Sequence, residues 1–179
     1  MPAHHAFWPK RLPHQLTAPQ TSLWMNLQIS ALRYPQKVAL VFMGRTWTYA
    51  QLQLEAELVA SALRKMGVQK GDRVVLDMQN CPQLVITHFA ILRLDAVVVP
   101  VNPMNRAKEL EHYITDAQAR IAITSADVAA DMAAASDALP EGEGLHHLLV
   151  THYSDAFDPS LQTQEAWPAS WQAWLTQRI

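Results

Sequence analysis

Cysteine, glycine and long apolar runs are scarce in this sequence of 179 residues. The one cysteine cannot form a disulfide within the chain, which favours a reducing compartment. No stretch reaches the roughly 18–20 unbroken apolar residues of a membrane helix, because His88, Arg93 and Asp95 interrupt the longest candidate. The first twenty residues lack the apolar segment of a signal peptide. These absences predict a cytoplasmic protein without a membrane span.

The scarcity of glycine bears directly on phosphate binding. The five glycines are Gly44, Gly67, Gly71, Gly142 and Gly144. None fits the pattern GxxxxGK[ST] or the pattern GxGxxG, in which glycine lets main-chain N–H groups approach a phosphate closely. The first strand-to-helix turn, residues 78–82, contains a proline instead, and the last two glycines lie among glutamates that would repel an anion. We therefore expect no glycine-rich nucleotide loop in this chain, which argues against a nucleotide-binding Rossmann enzyme.

The charge is distributed unevenly along the chain. Residues 1–120 carry 13 basic and 8 acidic residues, a net charge of +5, whereas residues 121–179 carry one basic and 8 acidic residues, a net charge of −7. An acidic segment is a poor surface for nucleic acid, and the basic residues of the first part form no cluster. The sequence predicts no nucleic-acid partner.

Three segments differ in pattern. Residues 1–20 have four prolines, three histidines and no periodicity, which predicts an irregular arm. Residues 21–151 show regular helix and strand patterns. Residues 152–179 begin as an acidic loop, and a short helix from about residue 168 is predicted to carry tryptophans.

The middle segment opens with a helix and a hairpin. A helix is predicted from residue 21 or 22 to about 33, with Leu23, Leu27 and Ala31 on its buried stripe. Two apolar runs around Met43-Gly44 predict a β-hairpin. Thr48, with glutamine three residues later, indicates a capping box that opens a second helix. The buried stripe of that helix is predicted to comprise Leu52, Val59, Leu63 and Met66.

Strands and helices then alternate to residue 151. Strands are predicted at about residues 73–78, 96–101, 120–124 and 147–151, and helices at about 82–94, 106–117 and 126–138. Ser125 is the expected cap of the last of these helices, and Pro100 is expected at the end of its strand. Strands separated by helices of this length are typical of βαβ units. The sequence predicts an α/β fold, a parallel sheet with helices on both faces, preceded by a helix and a hairpin.

Few residues are candidates for chemistry. Cys81 stands near a helix N-terminus, where it is a nucleophile, a redox sensor or a small capping residue; the absence of a nucleophile signature favours the cap. His88 lies on an apolar helix, where an interior histidine is favoured over a general base. His146 and His147 are adjacent, so they should point to opposite faces of a strand, and no ligand at a zinc-like spacing accompanies them.

The remaining candidates lie near the two ends. His4, His5 and His14 belong to the arm. Trp167, Trp171 and Trp174 have spacings of four and three, so they would share one face of a helix. That face could dock on a partner or a membrane interface, but docking on its own domain is favoured because tryptophan is usually largely buried.

Residues 23–123 resemble the N-terminal part of the adenylate-forming enzymes, which include the acyl-CoA synthetases. The resemblance rests on an ordered set of motifs: Thr-Tyr-x-x-Leu at 48–52, Gly-Val-x-x-Gly-Asp-Arg-Val at 67–74, Asn-x-Pro at 80–82 and Val-Pro-Val-Asn-Pro at 99–103. The arm and the Asn-Pro-Met run are most similar to medium- and long-chain fatty acid–CoA ligases. Asp95 stands where the family usually has glycine, a substitution that disfavours a tight turn there.

The resemblance implies an activity for a longer protein. Such enzymes activate a fatty acid with Mg-ATP as an acyl-adenylate and then transfer the acyl group to CoA. The Ser/Thr/Gly-rich phosphate loop and the C-terminal domain that this chemistry implies are not among the 179 residues. We therefore expect an N-terminal fragment that is inactive alone, with no catalytic, cofactor-binding or metal-binding residue of its own.

An alternative is a free-standing dimerisation or interaction module derived from such an enzyme. A sheet taken from a larger domain exposes apolar surface, and such surface promotes association. The sequence therefore predicts a homodimer or a larger oligomer.

Overall fold

The computed structural model describes residues 6–158, which confirm the predicted α/β fold. Residues 6–20 are exposed and contain neither α-helix nor strand. The elements then follow in the order α1 (Trp24–Arg33), β1 (Val38–Phe42), β2 (Arg45–Thr48), α2 (Tyr49–Lys65), β3 (Arg73–Asp77), α3 (Pro82–Arg93), β4 (Val97–Pro100), α4 (Ala107–Ala117), β5 (Ile121–Ser125), α5 (Ala129–Asp137), β6 (His147–Thr151) and a 3₁₀ helix (Tyr153–Ala156). None of the helices in this part of the chain is both long enough and apolar enough to cross a membrane.

The strands form two sheets. β1 and β2 pair as the predicted antiparallel hairpin, and both residues of its turn, Met43 and Gly44, have positive φ, as the tightest hairpin turns require. The other four strands form a parallel sheet in the order β4-β3-β5-β6. Pro100 ends β4 as predicted, where its missing N–H costs least.

Apolar side chains cover both faces of the parallel sheet. Val74 and Leu76 of β3 pack in the cluster that also holds residues of α2 and α3. Val75 packs on the opposite face, in a cluster with residues of α4 and α5 such as Ile114 and Met132. This alternation along β3 places the sheet in the middle of three layers.

Two helix starts differ from their sequence predictions. α1 begins at Trp24 instead of residue 21 or 22, and Leu23, predicted as buried, is 61% exposed, whereas Trp24 is buried with Leu27 and Ala31. A helix turns about 100° per residue, so one position moves a side chain from the core to solvent. Ser125 does not cap α5, because it pairs with Thr151 of β6 and extends the strand instead.

α2 is capped as predicted and buries most of its predicted stripe. The Thr48 hydroxyl accepts from the Gln51 N–H, and the Gln51 side chain accepts from the Thr48 N–H, which forms the capping box. Leu52 and Leu63 are buried and Val59 is partly buried against the core, as predicted, but Met66 lies beyond the helix and is exposed. The small residues at positions 56 and 60 fill the remaining core positions, because α2 packs closely on α3.

The turn before β4 forms despite its aspartate. Asp95 has a φ of +55°, the left-handed conformation that glycine adopts without cost. Its carbonyl accepts from the Gly71 N–H, and its own N–H donates to Leu92, so the turn is fixed on both sides. Aspartate is one of the few residues that visit this conformation, which explains why the substitution is tolerated.

Candidate functional site

The C-terminal edge of the parallel sheet is the candidate site, because open α/β sheets bind their ligands outside the carboxyl ends of the strands. β3 ends in Asp77 and β5 ends in Thr124 and Ser125, and all three residues are buried. Tyr153, on the 3₁₀ helix after β6, is buried beside them. These four polar side chains come from β3, β5 and the 3₁₀ helix, and they dominate the chemistry of the edge.

Asp77 is a buried carboxyl group at the end of β3. Its Oδ2 accepts from the Thr124 hydroxyl at 3.3 Å, and its Oδ1 has no hydrogen-bond partner in residues 6–158. Burial raises the pKa of Asp77 from 3.8 to about 6, the Thr124 hydrogen bond opposes that rise, and the negative charges of Asp127 and Asp131 add to it. The group is therefore largely charged at neutral pH in a place that disfavours its charge.

Tyr153 holds the first strand-to-helix turn in place. Its hydroxyl accepts from the Gln79 N–H at 3.1 Å and donates to Ser125 Oγ at 3.0 Å, so it connects β3, β5 and the segment after β6. Gln83 of α3 extends the connection, because its Nε2 donates to the His152 carbonyl at 2.8 Å. Burial raises the pKa of the Tyr153 hydroxyl, which remains a neutral hydrogen-bonding group at physiological pH.

This edge does not fit a nucleotide phosphate. The Gln79 N–H already donates to Tyr153, and Pro82, the first residue of α3, has no N–H to offer. Asp77, Asp127 and Asp131 add negative charge at this edge. That charge opposes the attraction that a helix N-terminus has for an anion. Within the described part of the chain, no three His, Cys, Asp or Glu side chains lie together in a way that could hold a metal ion.

Cys81 occupies the N-cap position of α3, as predicted, without a side-chain hydrogen bond to the helix. The thiol is buried and lies 3.8 Å from the Met78 sulfur. Burial raises its pKa, and this effect exceeds the opposing contribution of the N–H groups of Leu84 and Gln83. A thiol that resists ionisation is a poor nucleophile, so the geometry favours the capping interpretation.

The histidines are dispersed. The interior position predicted for His88 is wrong, because the side chain is only half-buried. Its ring contacts Phe89, and partial burial lowers its pKa. His146 lies before β6, so the predicted alternation of His146 and His147 across a strand does not apply. Both histidines line one hollow of about 170 Å³ at the edge of the sheet opposite to Asp77. His14 lies in the exposed arm against Trp8.

Other predicted candidates lie outside the described residues. These are His4 and His5 at the start of the chain, and Trp167, Trp171 and Trp174 in the last segment.

Sequence reasoning missed Asp77 and Tyr153. Asp77 could have been recognised as a single acidic residue that directly follows the apolar run Val-Val-Leu. The last residue of a parallel strand lies at the edge of the sheet where ligands bind. No local pattern marks Tyr153, because its hydroxyl meets the Gln79 N–H across 74 positions of sequence.

Comparisons with known proteins agree on one family. The sequence model of a family described as AMP-binding enzyme matches residues 27–177. The chain is 39% identical over 119 residues to a long-chain-fatty-acid–CoA ligase of Bacillus subtilis, a match that covers 66% of this chain and 21% of the relative. It is 32% identical over 98 residues to a crotonobetaine/carnitine–CoA ligase of Salmonella paratyphi A, covering 52% of this chain and 19% of that relative. The matched part is thus about a fifth of the length of these relatives.

Solved structures share the fold. The anthranilate CoA ligase AuaEII, in complex with anthranoyl-AMP, superposes with a TM-score of 0.69 at 27% identity over 75% of this chain and 26% of its own. The N-terminal domain of FACL13 from Mycobacterium tuberculosis superposes with a TM-score of 0.67 at 27% identity over 83% of this chain and 37% of its own.

Proposed function

Because the chain belongs to the AMP-binding enzyme family, we propose that it forms the N-terminal scaffold of a fatty acid–CoA ligase that acts in the cytoplasm. The observation that carries this proposal is its similarity to long-chain-fatty-acid–CoA ligases, at 39% identity over 119 residues and 37% identity over 118 residues. The reaction of such a ligase consists of ATP-dependent activation of a fatty acid as an acyl-adenylate, followed by thioester formation with CoA. The residues that handle ATP, Mg²⁺ and CoA are proposed to lie outside these 179 residues.

The chemistry of the sheet edge supports a scaffold role. Its polar groups are largely engaged with one another: Tyr153 bridges Gln79 and Ser125, and Thr124 donates to Asp77. Charge neutralisation is essential to phosphoryl and adenylyl chemistry, and this edge supplies acids where cations are needed. The buried, free thiol of Cys81 is compatible with a reducing cytoplasm.

The isolated chain is expected to catalyse no ATP–pyrophosphate exchange with fatty acids above the rate without protein. The physical reason is the absence of groups that neutralise a triphosphate at the described sheet edge. The long-chain-fatty-acid–CoA ligase of Bacillus subtilis, assayed in parallel with the same fatty acids, is the positive control. Robust exchange by the 179-residue chain would defeat the proposal of an inactive scaffold.

The second candidate is a dimerisation module, and exposed apolar side chains favour it. Leu32 of α1 is 83% exposed, Val41 of β1 is 71% exposed, and Leu54 of α2 also faces solvent. Burial of such groups between two copies would stabilise an association. We expect a dimer or larger species in multi-angle light scattering, with a mass that falls on dilution. A monomer at every concentration would count against the module.

A further inference from the structure

The N-terminal edge of the parallel sheet carries a small hollow lined by basic side chains. Arg73 begins β3 and Arg120 directly precedes β5, while His146 and His147 lie at the start of β6. All four line the hollow, whose volume is about 170 Å³, and Asp72 is the one acid among its described lining residues. This edge therefore offers positive charge, whereas the opposite edge of the sheet offers acids.

The two arginines are held in place by uncharged groups. Arg73 donates to three main-chain carbonyls and to the side-chain oxygen of Gln118. Arg120 donates to the Gly144 carbonyl at 3.2 Å. In the described part of the chain neither guanidinium group forms an ion pair, and Asp72 uses its Oδ2 to accept from a main-chain N–H at 2.8 Å. The positive charge of both arginines is thus fixed beside the hollow and available to an anion.

The charge of the hollow favours a monoanion. With the histidines counted as neutral, the two arginines and Asp72 give it a net formal charge of +1. α2 and α4 end beside it, because Met66 and Gln118, which directly follow these helices, are lining residues. The C-terminal end of a helix carries partial negative charge, which opposes a doubly charged group such as phosphate. A guanidinium group instead pairs with both oxygens of a carboxylate, and a histidine ring offers an N–H in either protonation state.

The rest of the lining is mostly apolar. Val68, Val74 and Ile121 are buried lining residues, and Met66, which is 37% exposed, contributes a side chain that a ligand can cover. At about 30 Å³ for each water-sized group, the hollow has room for roughly six non-hydrogen atoms. A carboxylate with a hydrocarbon tail of three carbons has this size.

We propose that this hollow binds a short apolar monocarboxylate, whose carboxylate pairs with Arg73 and Arg120 and whose hydrocarbon tail covers Met66. The site lies at the opposite edge of the sheet from Asp77 and does not depend on the proposed ligase activity. A ligand of so few atoms binds weakly, so we expect a Kd on the order of 1 mM.

The test is a titration of the complete 179-residue chain with sodium butanoate, followed by the amide resonances in ¹H–¹⁵N NMR spectra. The amides of Gly67, Gln118 and His147, which line the hollow, are expected to shift saturably. The amides of Gln79 and Ser125, at the opposite edge, are expected to stay unchanged. Butan-1-ol has a similar hydrocarbon tail without the charge, and we expect it to cause no saturable shift.

Variants assign the binding to the hollow. Arg120→Gln should raise the Kd for butanoate at least ~10-fold, because it removes a charge-assisted hydrogen bond. His147→Gln should raise it at least ~3-fold and provides a second test that leaves the contacts of both arginines intact. Arg64→Gln is the matched control, since it removes the same charge from an exposed position of α2 outside the hollow, and it should change the Kd less than ~2-fold.

Four results would overturn the proposal. The first is the absence of a saturable shift up to about 20 mM butanoate. The second is equal weakening by Arg64→Gln and Arg120→Gln, which would indicate general attraction of anions to the surface. The third is binding of butan-1-ol as tightly as butanoate, and the fourth is binding of inorganic phosphate at least as tightly as butanoate.

Discussion

Asp77→Asn is expected to raise the free energy of unfolding above pH 7 by up to about 3 kcal/mol, because a rise in pKa from 3.8 to about 6 corresponds to about that energy and the new amide N–H groups offset part of it. The carboxylate is buried and has one hydrogen bond, from Thr124, and two acids repel it. Asparagine keeps an oxygen that can accept from Thr124 and removes the charge. Chemical denaturation of the wild-type and variant chains measures the difference.

The gain is expected to depend on pH in a stated direction. The pKa of Asp77 rises from 3.8 in the unfolded chain to about 6 in the folded protein, so the folded state holds a proton that the unfolded state has lost. Asp77 thus contributes stability that is full below about pH 4 and is lost as pH rises to about 6. The advantage of Asp77→Asn should be small at about pH 4 and reach its full size above about pH 7.

Asp116→Asn is the matched control for this prediction. Asp116 is an exposed aspartate near the end of α4, and its replacement should change stability by no more than about 0.5 kcal/mol at any pH in this range. A loss of stability for Asp77→Asn above pH 7 would show that the carboxylate is better stabilised than its surroundings indicate.

Trp47→Ala is expected to destabilise the protein by about 3–5 kcal/mol, the usual cost of deleting a buried tryptophan. Trp47 of β2 is only 1% exposed, and its Nε1 donates to Glu55 Oε1 at 3.1 Å. The Arg45 guanidinium lies 4.2 Å from the centre of its ring and also donates to Glu55. The substitution removes this attachment of the hairpin to α2 and leaves a void where the indole ring was buried.

Trp8→Ala is the matched control, which tests whether the loss of any tryptophan would destabilise the protein to the same extent. Trp8 lies in the exposed arm, where its Nε1 donates to the Pro13 carbonyl. Its removal should cost less than about 1 kcal/mol in the same denaturation experiment. A cost of less than about 1 kcal/mol for Trp47→Ala would contradict the role of Trp47 in holding the hairpin on α2.

The elements with strong local signals can be predicted from the sequence. The turn at Met43-Gly44 and the capping box of Thr48 and Gln51 are determined by residues within a few positions of each other. The parallel sheet follows from the regular alternation of strands and helices, since only crossover connections of that length join parallel neighbours. The solved structures of related ligases share this fold.

Features decided by distant contacts cannot be predicted in the same way. The sequence predicts Ser125 as the cap of α5, but pairing with Thr151 and the hydrogen bond from Tyr153 keep it in the sheet. The predicted stripe of α1 is wrong at Leu23 because the helix begins two to three residues later than predicted, so Leu23 precedes it and Trp24 takes the buried position. The polar cluster around Asp77 escapes sequence reasoning for a similar reason, because strand order decides which residues share the edge.

The central claim is that this chain provides a scaffold and no triphosphate site, and titration with Mg-ATP in a calorimeter tests it most directly. We predict no saturable heat of binding up to about 1 mM nucleotide. The described sheet edge carries the acids Asp77, Asp127 and Asp131, and it has no set of unpaired main-chain N–H groups that could bind the phosphates. Stoichiometric binding of Mg-ATP with a micromolar Kd would contradict it.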